Sequence, residues 1–319
     1  MSDNRLFLGI DTSNYTTSVA LCDYKGTVIL NLKKLLDVKE GERGLRQSDA
    51  LFAHTKNLPE MMQRLKAFLC EELSGSKIVA VGCSATPRDA EESYMPCFLS
   101  GVAAAETASA VIGCPLYRFS HQNGHVMAAL YSSGMTELLA DTKPFAAFHV
   151  SGGTTELLLV TPCNDSFIVE QIGGSADMNA GQAIDRTGVL MGMKFPCGRE
   201  MESLCANVPY KRGKISVKGL ECNMSGLENL ASKLYKETND RAVTSAFCFD
   251  FIADTLKKLT ENLRELYPGI PVIYAGGVMS NKRIKQSLSS LTDVYFSEPE
   301  FSSDYAAGVA LLCRKKHLS

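Results

Sequence analysis

The sequence predicts an α/β protein built from two similar lobes, and three observations support this fold class. Short apolar strands alternate with longer helical patterns along most of the 319 residues. Three closely spaced strands open the chain, and a second set of three strands begins near residue 145. The polar turns that follow the first strand of each set, at Asp11 and at Ser151, are 140 residues apart. This repetition indicates an ancient duplication.

The first half begins as a β-meander. Its strands at 5–10, 16–22 and 27–32 are short apolar segments separated by polar turns. A helix is predicted from Asp49 to about Leu73, because Leu51, Leu58, Met61 and neighbouring apolar residues recur at helical spacing. A strand at 78–84 and an alanine-rich helix at 98–112 complete this half.

The second half repeats the plan and adds helices. Strands are predicted at 145–150, 155–161, 166–172 and 271–276, and helices at about 178–193, 198–206, 224–235, 240–267 and after Asn281. The final helix, from Asp304 to about Lys315, has a small Ala-Ala-Gly-Val-Ala face suited to close packing. Two duplicated lobes of this kind are the plan of the actin, sugar-kinase and Hsp70 (ASKHA) superfamily. We expect lobes at 1–118 and 119–303, with the helix at 304–319 packing back on the first lobe.

Composition excludes several classes of protein. The 33 Lys and Arg nearly balance the 35 Asp and Glu, so the net charge of -2 gives no global reason for autonomous nucleic-acid binding. Local basic runs, at 211–214, 282–285 and 314–316, are candidate nucleic-acid contacts or simply solvated surface. The 11 cysteines are odd in number and scattered, which favours reduced thiols in a cytoplasmic protein. No apolar run approaches the roughly 18 to 20 residues of a membrane span.

Two of the five histidines, His121 and His125, are four residues apart. On a helix both imidazoles would lie on one face, about one turn apart, where they could share a metal ion. Spacing alone leaves this interpretation about even with two surface or capping histidines. A metal site needs a further ligand, and Asp304 is one candidate among many.

Two glycine-containing turns could approach a ligand. The turn at 151–154 offers backbone N–H groups to phosphate or carboxylate oxygens, although a simple glycine hairpin is favoured for it in isolation. A buried strand at 271–276 ends in Gly276-Gly277 and leads into a helix after Asn281, which brings a ligand close to the backbone. The patterns of phosphate-loop and dinucleotide-binding proteins are absent.

Asp185 has two interpretations. It could bind a ligand hydroxyl, or it could pair with Arg186 or another surface charge, and residue pattern alone favours pairing. Asp177 could cap the start of a helix. Cys197 follows a turn-forming proline, and no base stands beside it in the sequence to make it a nucleophile.

Taken in order, these segments resemble the family of tRNA N6-adenosine threonylcarbamoyltransferases (TsaD, Kae and Gcp), formerly called O-sialoglycoprotein endopeptidases. The resemblance extends over nearly the whole chain. Its matching positions are 9–13, 46–54, 121, 125, 150–157, 180–185, 195–198, 225–227, 276–278, 281 and 303–304.

The resemblance implies an ASKHA fold and transfer of a threonylcarbamoyl group from threonylcarbamoyl-adenylate to N6 of adenosine 37 of tRNA. It implies one iron or zinc ion per chain, held by His121, His125 and Asp304. It also implies catalytic roles for Asp11 and Asp185, and accessory proteins or a dimer as partners. The implied substrate-binding residues are Val150, Ser151, Gly152, Gly153, Thr154, Asp185, Gly198 and Asn281.

The chain departs from the family pattern at several positions. The family's acidic pair after the first strand is replaced by Asn14-Tyr15, its Gly-Pro-Gly-Leu loop by residues 86–89, and the histidine that ends its glycine turn by Thr154. Other departures are Met178, Gln182 and Tyr305.

These departures indicate a divergent family member and keep two alternatives open. One is a non-catalytic nucleotide-binding partner in a tRNA-modifying complex. The weaker one is a metalloprotease, for which Gln122 stands where the general base Glu would be needed.

Overall fold

A computed structural model describes residues 4–13, 15–37, 45–164, 166–298 and 305–319. The described residues form two compact units. The first contains residues from 1–131, 163–167 and 304–319, and the second contains residues from 132–162 and 168–303. Each is an α/β unit with its own sheet.

The sheet of the first unit has five strands in the order β3-β2-β1-β4-β5. The first three strands form an antiparallel meander, and β4 and β5 continue from β1 in parallel. The strands are β1 (Arg5–Asp11), β2 (Thr16–Asp23), β3 (Val28–Leu35), β4 (Lys77–Thr86) and β5 (Leu116–Ser120).

Helices cover both faces of this sheet. Helices α1 (Gln47–Glu72) and α2 (Phe98–Ile112) pack together, with Leu6, Leu8 and Ile10 of β1 in the core on their side. The alternate residue Gly9 faces the last helix, α9 (Tyr305–Leu318), which packs on β1, β2 and β4.

Helix α3 (His121–Ser132) belongs mainly to the first unit, whereas the lobe boundary predicted from the sequence comes before it, after residue 118. The reason is its close approach to α9. A Cβ at Gly308 of α9 would lie 2.0 Å from the carbonyl oxygen of Gly124 in α3, so the two helix backbones meet without an intervening side chain.

The sheet of the second unit has seven strands in the order β12-β11-β6-β7-β8-β10-β9. β6 pairs antiparallel with β7 and parallel with β11, and β11 pairs parallel with β12. The order β8-β7-β6-β11-β12 therefore repeats the order β3-β2-β1-β4-β5 of the first unit, as the duplicated sequence pattern predicts. The strands are β6 (Phe145–Val150), β7 (Thr155–Cys163), β8 (Ser166–Ser175), β9 (Ser216–Lys218), β10 (Glu221–Asn223), β11 (Val272–Ala275) and β12 (Val294–Phe296).

The main core of the second unit surrounds one long helix, α7, which packs against four other helices. Asp240 caps α7 by accepting hydrogen bonds from the N–H groups of Ala242 and Val243. The helices are α4 (Ala180–Leu190), α5 (Gly198–Leu204), α6 (Ser225–Thr238), α7 (Arg241–Leu266) and α8 (Lys282–Leu288), with short 3-10 turns at Thr136–Leu139 and Gly277–Ser280.

Most predicted elements lie within a few residues of their observed positions. Four strands were not predicted: β5, β9, β10 and β12. The last three span only three residues each, too few to show an apolar alternation. Among the described residues, no helix is both long and apolar enough to cross a membrane.

Candidate functional site

Four of the predicted ligand-binding residues line one cavity in the second unit. Gly152, Asp185, Gly198 and Asn281 surround a space of about 450 Å³. They come from the turn after β6, from α4, from the start of α5 and from the start of α8. The fold thus collects residues that are up to 129 positions apart in the sequence.

Two glycines bring the walls of this cavity together. A Cβ at Gly181 of α4 would lie 2.6 Å from the Cα of Gly152. Gly276 has a φ of +101°, and a Cβ there would lie 2.3 Å from the carbonyl oxygen of Val150. Both contacts are with backbone atoms, so alanine at either position would push the walls apart. Val150 itself contributes a buried side chain to the core.

Several polar groups of the glycine turn at 151–154 form hydrogen bonds with one another. Ser151 Oγ accepts hydrogen bonds from the N–H groups of Gly153 (3.2 Å) and Thr154 (3.1 Å). Thr154 Oγ1 lies 2.7 Å from Ser151 Oγ and 3.4 Å from His149 Nδ1. Asn179 of the α4 cap donates to the carbonyl of Gly153 at 2.8 Å. The N–H of Ser151 also donates to the carbonyl of Thr154 at 2.8 Å. The turn is therefore fixed in shape, and three of the four backbone donors that the sequence suggested for a ligand are used within it.

Asp185 does not pair with Arg186 in the structure. Arg186 instead lies 3.1 Å from Glu228, while Asp185 Oδ1 accepts the N–H of Cys197 at 2.8 Å. Burial raises the pKa of Asp185, and the hydrogen bond from Cys197 partly opposes that rise. Asp185 therefore holds the turn that leads into α5 and also lines the cavity.

Asn281 caps α8. Its Oδ1 accepts the N–H of Ile284 at 3.0 Å, and the residue is only 7% exposed. Its Nδ2 has no acceptor among the described residues, so this amide is a candidate donor to a ligand in the cavity that Asn281 lines.

Asp177 caps helix α6 and not helix α4, which follows it in the sequence. Its carboxylate accepts the N–H groups of Met224 (2.7 Å) and Ser225 (3.2 Å) at the start of α6. The box that caps α4 is formed by Asn179 and Gln182. Gln182, a departure from the family pattern, thus has a structural role here.

Sequence reasoning missed two charged side chains that line the cavity, Arg199 and Glu202. The sequence could have indicated them by their positions, because they follow the predicted ligand-binding residue Gly198 by one and four residues on the short helix α5. Cys197 is buried, and burial together with the nearby Asp185 and Glu200 raises the pKa of its thiol. A raised thiol pKa opposes a nucleophilic role.

The histidine pair lies in the first unit, at the start of α3. The ring centroids of His121 and His125 are 4.3 Å apart. Ser120 caps the helix by accepting the N–H of Asn123 at 3.2 Å. The segment that replaces the family's glycine-rich loop supports this helix start, since Asp89 accepts a hydrogen bond from Asn123 Nδ2 at 2.7 Å and Pro87 accepts the N–H of Gln122.

Asp11 contacts His121 directly. Its Oδ2 lies 3.1 Å from His121 Nδ1, and its Oδ1 accepts the N–H of Ser13 at 2.9 Å. Burial by itself would raise the pKa of Asp11, but the charge and hydrogen bonds of His121 and Ser13 outweigh it and lower that pKa. An ionised carboxylate on Nδ1 orients the ring and makes Nε2 the nitrogen that would bind a metal.

The chemistry of the His121 and His125 side chains suits a metal ion. Two imidazoles on one helix turn, one of them backed by a carboxylate, suit zinc or iron. Asp304, the third ligand that the resemblance implies, is outside the described residues. Within the described ranges, no three His, Cys, Asp or Glu side chains are grouped to hold a metal.

Comparison with solved structures shows the fold. Full-length HypF in its phosphate- and nucleotide-bound form matches 97% of this chain and 46% of its own length, with a TM-score of 0.60 at 14% identity. Component A of (R)-2-hydroxyglutaryl-CoA dehydratase from Acidaminococcus fermentans matches 98% of this chain and 99% of its own, with a TM-score of 0.53 at 13% identity. The predicted two-lobe ASKHA fold is confirmed.

Sequence comparison shows the family. The family described as TsaD, tRNA N6-adenosine threonylcarbamoyltransferase, matches residues 37–311. The enzyme of that name from Streptococcus suis (strain 05ZYH33) is 29% identical over 98% of this chain and 92% of its own length. The one from Streptococcus thermophilus (strain LMD-9) is 31% identical over 78% and 76%. This chain therefore belongs to the tRNA N6-adenosine threonylcarbamoyltransferase family.

Proposed function

We propose that this protein transfers a threonylcarbamoyl group from threonylcarbamoyl-adenylate to N6 of adenosine 37 of tRNA, in the cytoplasm and with accessory proteins or a dimeric partner. The observation that carries this proposal is the cavity that Gly152, Asp185, Gly198 and Asn281 share. Its glycine walls, the half-buried Asp185 and the buried Asn281 suit a nucleotide, and family membership supplies the reaction type.

The reaction needs no covalent intermediate on the protein. The N6 amine of adenosine attacks the carbamoyl carbon, an N–C bond forms, and the C–O bond to the adenylate phosphate breaks. AMP leaves with that electron pair, and the proton of N6 passes to the leaving phosphate or to solvent. The raised thiol pKa of Cys197 agrees with this direct transfer.

The protein's part is to position the donor. In this proposal Asp185 accepts a hydrogen bond from a ribose hydroxyl, and the side-chain amide of Asn281 donates a hydrogen bond to the nucleotide. The acyl phosphate is bordered by the turn that contains Val150, Ser151, Gly152, Gly153 and Thr154. Gly198 allows the nucleotide to approach the backbone at the start of α5. Correct positioning contributes more to the rate than to the affinity in a transfer of this kind.

His121, His125 and Asp304 would hold the metal ion that the family resemblance implies. Such an ion, when bound, polarises a carbonyl as a Lewis acid and anchors the substrate. In this arrangement Asp11 is a positioning residue, because its two oxygens contact His121 and Ser13. The Asp11 carboxylate keeps the His121 ring in one orientation.

The departures from the family pattern favour testing a second function, that of a non-catalytic nucleotide-binding partner. Thr154 stands where the family has histidine, and it is hydrogen-bonded within the turn. A metalloprotease has weaker support, since Gln122 has an amide where a general base is required.

The deciding experiment measures modified adenosine by mass spectrometry of tRNA nucleosides. We expect product above background from tRNA, threonylcarbamoyl-adenylate and any required partner proteins, at a reduced rate. Thr154→His should retain activity, whereas His121→Ala should lose about one metal ion per chain together with activity and remain folded. Background product with intact nucleotide binding and saturating metal would favour the partner role.

A further inference from the structure

We propose that the loop from Cys205 to Ile215, between α5 and β9, binds the phosphate backbone of tRNA beside the nucleotide cavity. This inference rests on the proposed function for the identity of the RNA. Its structural basis is an exposed run of cations on a backbone that is fixed in place.

The structure separates the three basic runs of the sequence. Two of them have cations engaged inside the protein. Arg283 lies 2.6 Å from Asp250, Lys285 lies over the ring of Phe296, and Arg314 donates to the carbonyl of Tyr24 at 2.6 Å. The remaining run has Lys211, Arg212 and Lys214, which are all exposed.

These three side chains form no ion pair with any described residue. The sequence between Ser203 and Leu220 contains no Asp or Glu. One further exposed cation, Lys218, lies opposite Glu221 in the pairing of β9 with β10 and is not counted with the three. Two carboxylates of α7 contact the loop or its holder: Asp250 pairs with Arg283, and Asp254 accepts the hydroxyl of Tyr210. The loop therefore presents three exposed cations that pair with no described carboxylate, on a protein whose overall charge is close to zero.

The loop backbone is held at several points. Arg283 donates to the carbonyls of Val208 (2.8 Å) and Cys205 (3.3 Å), and Asp250 accepts the N–H of Lys211 at 2.8 Å. Gly213 lies against aromatic rings of α7, where a Cβ would come within 3.0 Å of Phe247. The Arg283–Asp250 pair thus works as an internal clamp, and the cations are displayed from a preformed surface.

The same elements that hold the loop also line the cavity. Asn281 lines the cavity and is two residues before Arg283, which clamps the loop. Glu202 lines the cavity on α5, just before the loop, and accepts the N–H of Lys282 at 2.7 Å. A polyanion on the loop would therefore lie beside the cavity in which the donor nucleotide is proposed to bind.

The chemistry of this surface fits an RNA backbone. Lysine and arginine side chains without acidic partners contact phosphates, and each such contact increases the salt dependence of binding by about one unit of slope. Tyr210 is 54% exposed beside the cations, and aromatic rings next to cations are typical of single-stranded nucleic-acid surfaces.

The test compares two triple charge reversals in the full chain. Lys211→Glu with Arg212→Glu and Lys214→Glu changes the loop. Lys25→Glu with Lys233→Glu and Lys236→Glu changes the net charge equally at exposed positions elsewhere. Binding of an unmodified tRNA transcript is measured at several salt concentrations, and ADP affinity reports whether the cavity is intact.

We expect the loop variant to bind tRNA at least tenfold more weakly and to lose about 3 units of the slope of log affinity against log salt. The control should stay within about twofold of the unaltered protein, and both variants should bind ADP normally. If the loop variant binds and modifies tRNA normally, this inference is wrong and the proposed function stands. An equal loss in the control also overturns the inference. If the unaltered protein neither binds nor modifies tRNA, both fail.

Discussion

Asp185 shows how one side chain can serve both the fold and a ligand. One of its oxygens accepts the N–H of Cys197 and so holds the turn before α5. The carboxylate also lines the cavity, together with Arg199 and Glu202. A carboxylate in this partly buried position is well placed to accept a hydrogen bond from a ribose hydroxyl. Such a hydrogen bond is stronger when the acceptor is charged.

Nucleotide affinity should depend on the ionisation of Asp185. Its pKa is raised by burial, so it protonates at a pH where ordinary aspartates are still charged. Protonation removes the charged acceptor, and we expect ADP affinity to fall as the pH falls, beginning above the usual aspartate range. Calorimetry across this pH range checks the prediction.

Asp185→Asn is the control for this pH dependence. We expect it to weaken ADP binding by roughly 1 to 3 kcal/mol and to remove most of the pH effect. Glu202 also lines the cavity, so a pH effect that persists in full in the Asn variant would assign the titration to another group and contradict the prediction.

At the scale of elements, α6 begins against a side chain that is distant in sequence. Asp177 follows β8 and accepts the N–H groups of Met224 and Ser225, 47 and 48 residues later. These hydrogen bonds and that of the Ser225 hydroxyl lower the pKa of Asp177 in spite of an opposing effect of burial. The carboxylate therefore joins two elements that local sequence does not connect.

We expect Asp177→Ala to lower the free energy of unfolding by about 1 to 2 kcal/mol, as for the loss of a helix cap. Asp177→Asn should lose less, because an amide oxygen can still accept. Because the pKa of Asp177 is lower in the folded state than in the unfolded state, its carboxylate stabilises the folded protein at a pH above the unfolded pKa. This stabilisation is lost as the pH falls through the folded pKa. Urea unfolding at neutral and acidic pH measures both effects, and an Ala variant as stable as the parent would argue against the cap.

The contact between β1 and α9 is a second prediction at this scale. A Cβ at Gly9 would lie 2.2 Å from the carbonyl oxygen of Ala306 and 2.5 Å from the nitrogen of Ala310. We expect Gly9→Ala to destabilise the protein by about 1 to 3 kcal/mol or more through overpacking. Gly226→Ala is the matched control, because a Cβ there meets nothing within 4 Å. Equal thermal stability of the two variants would contradict the close packing.

Elements with strong local patterns were predictable, and contacts between distant residues were not. The meander at β1, β2 and β3 follows from apolar strands with polar turns between them. By contrast, β10 is a three-residue strand that pairs with both β8 and β9, and its three residues carry no periodic signal. The cap that Asp177 provides was expected for a nearby helix and is made to α6, since only the tertiary fold brings α6 to it.

For the molecule as a whole, the duplication places polar groups at equivalent strand ends. Asp11 ends β1 in the first unit, and Ser151 follows β6 in the second. Both strands have a parallel neighbour on one side and an antiparallel neighbour on the other. In open α/β sheets the carboxyl ends of such strands are where ligands bind.

Part of the candidate site was predictable, because the turns at the ends of the duplicated strands have a recognisable sequence pattern. The glycine turn and the double glycine at 276–277 have sequence signals, and the resemblance supplied Asp185, Gly198 and Asn281. The contact of Asp11 with His121 could not be read from the sequence, because 110 residues separate the two side chains and only the tertiary fold brings them together.

If the cavity binds an adenine nucleotide, that binding should stabilise the whole chain. A ligand that binds only the folded state at 100 times its Kd adds about 2.7 kcal/mol to the free energy of unfolding. We expect ADP at that excess to raise the midpoint of thermal unfolding by several degrees. Asn281→Ala should lose most of this shift, because it removes an amide that lines the cavity.

Asn229→Ala serves as the control for this shift, since Asn229 is an exposed residue of α6 outside the cavity lining. It should keep the full ADP effect, which separates loss of a ligand contact from a general effect of removing an asparagine. Asn281 also caps α8, so the Ala variant should start from a midpoint lowered by the lost cap. The quantity to compare is therefore the increment on adding ADP. An increment in Asn281→Ala equal to that of the parent protein would exclude Asn281 from the nucleotide site.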